Sequence, residues 1–163
     1  KPVLAPPTPE EIDAARAAGT RRAVLATERG NLVVELYGKE APLTVANFVK
    51  LAQLDFYNGL TFRRVETKPG FTLIQGGDPQ GDGVGGPGYT ITLEITPQLT
   101  HEVGALGMAR AANPDSAGSQ FYLCLMPLHQ LDGQYAVFGK MVKGFEVAKA
   151  IRKGDRIVSV TVE

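Results

Sequence analysis

The chain has 163 residues, 44% of them hydrophobic and 21% charged, which fits one globular domain with a sizeable core. Seventeen basic and seventeen acidic residues leave a formal net charge of +0, so no charged surface for nucleic acid or acidic membranes is indicated. The apolar runs are far shorter than a membrane span. The single cysteine, Cys124, excludes an internal disulfide, and its apolar neighbours predict a buried structural thiol.

The N-terminal segment is rich in proline, at positions 2, 6, 7 and 9, and begins at Lys1 instead of methionine. Such a stiff, extended lead often follows a cleaved or anchored N-terminus, which slightly favours an extracytoplasmic (periplasmic or secreted) location over the cytoplasm. Thr8 is the predicted N-cap of a helix that begins at Pro9, with Glu11 completing a capping box, and Gly19 ends it.

This first helix has a small apolar face made mostly of alanine, so we expect it to be an appendage. Residues 1–22 are therefore predicted as a lead with a helix, and residues 23–163 as the main domain.

The remainder of the chain consists of short apolar runs broken by glycine and proline, which predict strands. These runs cover residues 23–27, 31–37, 60–65, 71–75, 105–110, 120–125, 135–142 and 157–162, with 89–95 the weakest candidate. Helical spacing of apolar residues predicts two more helices, at 42–54 and 145–151. Two helices are too few to cross over between parallel strands. The sequence therefore predicts a mostly β fold: a closed eight-stranded antiparallel β-barrel capped by two α-helices, plus the short N-terminal helical extension.

Several patterns that resemble nucleotide-binding, metal-binding or hydrolase motifs lack the sequence context that these sites require. The string from Gly81 to Gly86 satisfies G-x-G-x-x-G, but Pro87 and Gly88 follow where a helix should open, so we interpret it as a long ordered loop. Neither histidine lies at a metal-ligand spacing, and Ser119 lacks the context of a hydrolase nucleophile. The carboxylates we interpret as solvated or turn residues are Glu35, Glu40, Glu66 and Asp132. We therefore expect no metal, no cofactor and no covalent intermediate.

The stretch from Leu60 to Pro79 carries the clearest functional signal. Arg64 and Gln75 stand at the ends of neighbouring apolar strands, which places a cation and an amide over an apolar surface. That arrangement suits recognition of a peptide backbone beside an apolar side chain. The neighbouring Arg63 should face the opposite side, because successive residues of a strand alternate.

Five motifs then resemble the cyclophilins, the peptidyl-prolyl cis-trans isomerases. They are APLTVANF at 41–48, FYNGLTF at 56–62, QGGDP at 75–79, GSQF at 118–121 and LDGQYAVFG at 131–139. The loop MARAANPDSAGSQF is similar to the bacterial branch. The resemblance implies an isomerase without cofactor that acts on proline-containing peptides and unfolded protein segments.

The same resemblance implies the site. Arg64 and Gln75 would be catalytic, with Arg64 donating hydrogen bonds around the prolyl nitrogen and carbonyl. The substrate-binding positions would be Phe71, Leu73, Ala109, Arg110, Ala111, Gln120, Tyr122, Leu131 and Tyr135. Of these, Phe71, Leu73, Tyr122 and Leu131 would floor the proline pocket, and Tyr135 replaces a pocket histidine. The hydroxyl of Tyr122, where phenylalanine is usual, would narrow or wet that pocket.

The chain also departs from the family pattern. About three extra residues lie between Arg64 and Gln75, so that either Phe71 or Thr72 takes the place of the pocket aromatic. We choose Phe71 and expect a β-bulge to absorb the odd residue. Gln130 replaces a tryptophan that helps to bind cyclosporin, so weak or no cyclosporin binding is expected. These departures leave open an alternative, a proline-segment-binding chaperone or adaptor module with little or no isomerase activity. We expect a monomer.

Overall fold

A computed structural model describes residues 4–163. In that range the helices are α1 (Pro9–Ala18), α2 (Pro42–Gln53) and α3 (Phe145–Ala150), with a short 3-10 turn at His129–Leu131. The strands are β1 (Thr20–Thr27), β2 (Gly30–Tyr37), β3 (Arg64–Lys68), β4 (Phe71–Gly76), β5 (Ala105–Met108), β6 (Phe121–Cys124), β7 (Val137–Lys143) and β8 (Ile157–Val162). The predicted mostly β class, the three helices and the number of strands are confirmed.

All eight strands belong to one antiparallel sheet in the order β3-β4-β6-β5-β7-β2-β1-β8. Within residues 4–163 the two outer strands, β3 and β8, form no ladder with each other. An isolated bridge between Thr61 and Arg156 and nearby loop hydrogen bonds link the two edges. The sheet is therefore a curled, open half-barrel, and the predicted closed barrel is not confirmed.

The strand predicted at residues 60–65 is displaced toward the C-terminus. The backbone around Leu60 and Phe62 bonds to the first residue of β8 and to the loop before it. Ile157 N donates to Leu60 O at 2.7 Å, and Phe62 N donates to Asp155 O at 2.8 Å. The ladder of β3 begins only at Arg64, which pairs with Gln75 near the end of β4. The weakest candidate, residues 89–95, contributes a single bridge between Ile91 and Ala117.

Strand alternation divides the buried side chains into two apolar groups. The main core lies between the sheet and α2, where the rings of Phe48, Tyr57, Phe121 and Phe138 pack at centroid distances of 5.2–5.6 Å. The second cluster occupies the other face of the central strands. Its buried members are Leu73, Ala105, Tyr122, Cys124, Leu128 and Val137, and its half-buried members are Phe71, Leu99, Ala109, Met126, Leu131 and Tyr135.

Helix α1 has the predicted capping box, since Thr8 N donates to Glu11 Oε1 at 2.8 Å and Glu11 N donates to Thr8 Oγ1 at 3.1 Å. Although its small apolar face predicted an appendage, Ala15 is buried in the main core. The Glu11 carboxylate also pairs with Lys50 of α2 at 3.0 Å. The helix is thus packed onto α2.

The N-terminus of helix α2 is capped by a side chain from a distant part of the sequence. Its own N-cap residue, Ala41, has no side chain that can accept a hydrogen bond. The carboxylate of Glu94 instead accepts from Leu43 N at 3.1 Å, and from Thr44 N at 2.8 Å and Thr44 Oγ1 at 2.7 Å. Asn47 of the same helix accepts a hydrogen bond from the Tyr89 hydroxyl. These contacts fix the long segment between β4 and β5 to α2.

No helix in residues 4–163 combines the length and apolar character needed to cross a membrane. Cys124 is buried and free, as predicted, and burial raises its thiol pKa to about 12. The thiol is therefore protonated and unreactive at neutral pH.

Candidate active site

The hairpin of β3 and β4 turns at Pro69 and Gly70, where Gly70 has the positive φ of 77° that this tight turn requires. Its ladder runs without a register shift from the pair Lys68 and Phe71 to the pair Arg64 and Gln75. The predicted bulge is therefore wrong, since the longer arms stay regularly paired. Alternation places Phe71 on the same face as Gln75, and Phe71 packs in the second cluster.

Arg64 lies at the open end of this hairpin, directly opposite Gln75. Its Nη1 donates to Gln75 Oε1 at 3.3 Å and its Nε donates to Glu66 Oε2 at 3.1 Å. Its guanidinium carbon lies 5.5 Å from the ring centroid of Phe71. Within residues 4–163 Nη2 has no protein acceptor, and 39% of the side chain is exposed. The guanidinium is held by three neighbours and still has free N–H groups.

The charge of Arg64 is partly balanced by Glu66. The hydrogen bond from Arg64 holds the pKa of the Glu66 carboxyl below its ordinary value, with Lys68 adding to the effect. The neighbouring Arg63 points elsewhere, with Nε 3.9 Å from Asp78 Oδ2. The two arginines therefore have different partners, and Arg63 lies one residue before β3 begins.

A chain of amide hydrogen bonds leads away from Arg64. Gln75 Nε2 donates to Gln120 Oε1 at 3.3 Å, and Gln120 Nε2 donates to the carbonyls of Gly83 at 3.2 Å and Gly85 at 3.0 Å. The two glutamines are thereby oriented, and Gln120 fixes the glycine-rich loop (residues 81–86) against β6. Backbone carbonyls have no sequence signature, so this contribution of the loop was not foreseen.

The glycine-rich loop is ordered around the buried carboxylate of Asp78. This carboxylate accepts hydrogen bonds from Gly83 N and, at 2.9 Å, from Gln80 N. Burial alone would raise the pKa of Asp78, but these backbone donors and Arg63 outweigh it, and the pKa lies below its ordinary value. No helix opens after the loop, which agrees with its interpretation as an ordered loop.

The predicted binding residues occupy two adjoining regions. Phe71, Leu73, Tyr122, Leu131 and Tyr135 all belong to the second cluster. Beside it lies a cavity of about 640 Å³, lined by the glycine-rich loop and also by Gln75, Ala109, Arg110, Ala111 and Gln120. Ala109 belongs to both regions, which therefore adjoin each other.

Arg110 lies at the boundary of these two regions, where its guanidinium contacts both Tyr135 and backbone carbonyls. Its guanidinium carbon is 4.5 Å from the ring centroid of Tyr135, and its Nη2 donates to Gln134 O at 2.7 Å. Its Nη1 donates to Ala111 O at 3.0 Å. The next residue, Ala111, is exposed, and its N–H donates to Ser116 Oγ at 2.9 Å.

Two residues that the sequence did not point to lie beneath the second cluster. His101 is fully buried, and its imidazole contacts Asp132 Oδ1 through Nδ1 and the Tyr122 hydroxyl through Nε2, each at 2.7 Å. Asp132, interpreted as a solvated or turn residue, also contacts His129 at 2.8 Å. The resemblance of Leu131-Asp132-Gly133 to a family motif was the one signal that could have drawn attention to this carboxylate.

In residues 4–163 no three His, Cys, Asp or Glu side chains cluster closely enough to hold a metal ion. The surface instead offers hydrogen-bond donors beside an apolar floor. Such a surface can bind a peptide and stabilise one conformation of it, which requires neither a nucleophile nor a redox group.

Comparison with known proteins gives a consistent result. The family described as cyclophilin type peptidyl-prolyl cis-trans isomerase/CLD matches residues 22–162. Peptidyl-prolyl cis-trans isomerase B of Bacillus subtilis is 52% identical over 138 residues, covering 83% of this chain and 94% of that protein. A peptidyl-prolyl cis-trans isomerase of Synechococcus elongatus is 46% identical over 143 residues, covering 86% of this chain and 95% of that protein.

Solved structures agree. A crystal structure of a cyclophilin type peptidyl-prolyl cis-trans isomerase from Cryptosporidium parvum matches with a TM-score of 0.81 and 31% identity, covering 88% of this chain and 98% of that chain. The Cryptosporidium protein in the presence of the dipeptide Ala-Pro matches with a TM-score of 0.79 and 32% identity, covering 87% and 98% of the two chains.

Proposed function

The chain belongs to the cyclophilin-type peptidyl-prolyl cis-trans isomerases, and from that premise we propose that Arg64 accelerates rotation about Xaa-Pro bonds by hydrogen bonding to the twisted prolyl amide. The observation that carries this proposal is the position of Arg64. It stands directly across the ladder from Gln75, over the ring of Phe71, with Nη2 free of protein acceptors in residues 4–163.

Rotation about this bond is slow because amide resonance holds it planar, with a barrier of about 18–20 kcal/mol. Twisting localises the lone pair on the prolyl nitrogen, which then accepts a hydrogen bond that the planar nitrogen accepts poorly. A donor at this point stabilises the twisted state more than either planar state. One charged hydrogen bond contributes about 1.5–3 kcal/mol, so Arg64 supplies roughly one to two decades of rate.

The remaining residues hold the peptide. The proline ring is proposed to lie on Phe71, Leu73, Tyr122 and Leu131, since all four belong to the second cluster next to Arg64. The flanking chain runs toward the cavity. There Gln75, Gln120 and the backbone around Arg110 (Ala109 to Ala111) offer polar groups to it.

The amide chain supports this proposal because it limits the motion of the groups that must meet the substrate. Gln75 is only 8% exposed and bonds to both Arg64 and Gln120. Groups that are already oriented lose little entropy when they meet the twisted state.

The test compares wild type with Arg64→Ala in exchange of an Ala-Pro peptide measured by NMR. We expect kcat/KM to fall by about tenfold to a hundredfold, because the charged donor is lost. The matched control is Arg63→Ala. It removes the adjacent arginine, which contacts Asp78, and should retain most of the rate. Equal rates for Arg64→Ala and wild type would overturn the assigned role.

The same assay decides whether the protein acts only as a proline-binding chaperone or adaptor module. Saturable binding of the peptide without accelerated exchange in the wild type would favour that alternative. Accelerated exchange in the wild type that depends on Arg64 favours catalysis by the proposed route.

We also propose weak cyclosporin binding. Gln130 stands at the position where the family has tryptophan, and its side chain donates to Gly70 O at 3.3 Å at the tip of the hairpin. An amide there offers neither the apolar area nor the indole donor. Titration calorimetry should detect at most micromolar affinity, and Gln130→Trp should increase it. Tight binding by the wild type would contradict the proposal.

A further inference from the structure

In the described part of the chain, residues 4–163, the hydroxyl of Tyr122 has a single partner, and that partner is fully buried. His101 has 0% exposure, and its Nε2 lies 2.7 Å from the Tyr122 oxygen. The two rings are stacked, with centroids 5.8 Å apart and planes 10° from parallel. On its other side His101 is fixed by Asp132, whose Oδ1 lies 2.7 Å from both Nδ1 and the backbone N–H of His101.

These contacts select one tautomer of His101. A carboxylate can only accept, so Nδ1 must carry the proton that is donated to Asp132. In the neutral ring Nε2 is then an acceptor, so the Tyr122 O–H must donate to it. The tyrosine proton is thereby directed into the protein and away from the surface on which the proline is proposed to lie.

The position of the Tyr122 ring is fixed from a second side by Gly107. A Cβ built on Gly107 would lie closer than 3.0 Å to Cζ, the hydroxyl oxygen and Cε1 of Tyr122. The buried end of the ring therefore lies against the bare backbone of β5. The ring has no room to shift toward that strand.

We propose that His101 is a positioning residue for the isomerase reaction. By accepting the Tyr122 O–H, it makes this tyrosine present an apolar ring to the substrate proline, as a phenylalanine would. The proposal rests on the proposed function, because it assigns Tyr122 to the floor of the proline pocket. It names the role of a buried group that the rotation mechanism itself does not use.

Burial favours the neutral imidazole of His101. Burial holds the pKa of His101 below its ordinary value, although Asp132 partly offsets this, and His129 lowers it further. Tyr122 also lies near Cys124, Tyr135 and Arg110, and its own phenol pKa is raised, chiefly by burial. At neutral pH both groups are therefore uncharged.

The first experiment is independent of activity. Long-range ¹H–¹⁵N NMR spectra of the imidazoles should show His101 as the Nδ1–H tautomer at neutral pH. In Tyr122→Phe the Nε2 resonance should shift, because it loses its hydrogen-bond donor, while the Nδ1–H tautomer persists. An Nε2–H tautomer in the wild type, or an unchanged Nε2 resonance in Tyr122→Phe, would overturn the proposal.

The second experiment is a kinetic cycle with His101→Asn, whose amide can still donate to Asp132 but cannot reach Tyr122. In the wild-type background this change should raise KM more than it lowers kcat, with about a tenfold loss in kcat/KM. In the Tyr122→Phe background the same change should cost less than about twofold, because no hydroxyl remains to be held. Equal losses in both backgrounds would show that His101 acts by another route.

His129→Asn is the matched control. His129 also contacts Asp132, at 2.8 Å, but it is exposed and, within residues 4–163, does not contact Tyr122. We expect kcat/KM to be unchanged in this variant. If His129→Asn lowered kcat/KM as much as His101→Asn does, the effect would come from the disturbed Asp132 carboxylate. The hydrogen bond to the Tyr122 hydroxyl would then not be its cause.

The proposed isomerase function and the proposed role of His101 can be refuted by different results. An inactive wild type would refute the proposed function, while the NMR result would still test the His101–Tyr122 contact. If His101→Asn does not fold, the tautomer of the wild type and the shift in Tyr122→Phe decide the question.

Discussion

The main core and the second cluster are built from consecutive residues of the same strands, yet they differ in how fully the protein itself covers them. On β6, Phe121 points into the main core and Tyr122 into the second cluster. The main core is closed by α2 and holds a group of four interlocking aromatic rings. The second cluster is open on one side, where Phe71, Leu131 and Tyr135 remain only partly buried.

The two faces of the sheet separate the residues that stabilise the fold from those that are proposed to bind the peptide. One face of the sheet is filled by the protein itself, whereas the other is left for a ligand to complete. The open face is held in shape from below by polar contacts, namely His101 on Tyr122, and at its rim by Arg64 and Arg110. Changes on the two faces should therefore alter different measured quantities.

The largest expected effect is in the main core. Phe121→Ala removes a fully buried ring and should lower the free energy of unfolding by about 3–5 kcal/mol. Phe71→Ala, on the open face, should lower it by about 1–2 kcal/mol, because this ring is only partly buried, and should mainly raise KM. Urea unfolding and peptide kinetics on both variants measure the contrast. A similar stability loss in both would contradict it.

A middle-sized effect is expected at Gly107, which lies under the second cluster. Gly107→Ala places a methyl group against the ring of Tyr122 and should cost about 1–3 kcal/mol of stability through overpacking. In a Tyr122→Leu background the smaller side chain leaves space, so the same substitution should cost less. Equal costs in the two backgrounds, measured by urea unfolding, would place the strain elsewhere.

The smallest effect is the pH dependence of stability that His101 contributes. Its pKa is lowered on folding, so the unfolded chain binds more protons, and stability should fall as pH drops below about 6.5. The raised pKa of His129 acts in the opposite direction, so the measurement belongs in a His129→Asn background. There the free energy of unfolding should decrease as the pH falls from 7.5 to 5, because burial still holds the pKa of His101 below its ordinary value.

Adding His101→Asn removes the last histidine of the chain and should make this profile flat. The lowered pKa of Asp132 acts mainly below about pH 5, at the lower end of this range. An unchanged slope after both substitutions would show that another group titrates in this range.

Local patterns predicted most of the fold, because apolar alternation and turn residues are properties of short segments. The strand at Ile157–Val162 and the start of β4 at Phe71 match the prediction. Closure of the sheet did not follow from such patterns. It depends on whether β3 and β8 pair, and the backbone near Leu60 and Phe62 makes the contact instead.

The candidate site divides in the same way. Arg64, Gln75 and Gln120 could be named because each lies in a motif, and the regular hairpin then brings them together. The pair His101 and Asp132 could not be named, since the two residues are 31 positions apart and meet only through the folded sheet. The carbonyls of the glycine-rich loop were missed because any residue carries one.

The capping of α2 by Glu94 couples local unfolding of this helix to movement of the cavity wall. Because Glu94 accepts from Leu43 N and Thr44 N, the segment that walls the cavity cannot move outward without freeing two amides of a core helix. Their hydrogen–deuterium exchange is therefore a reporter of opening at a site some fifty positions away in the sequence. The wall and the helix should open and close as one cooperative unit.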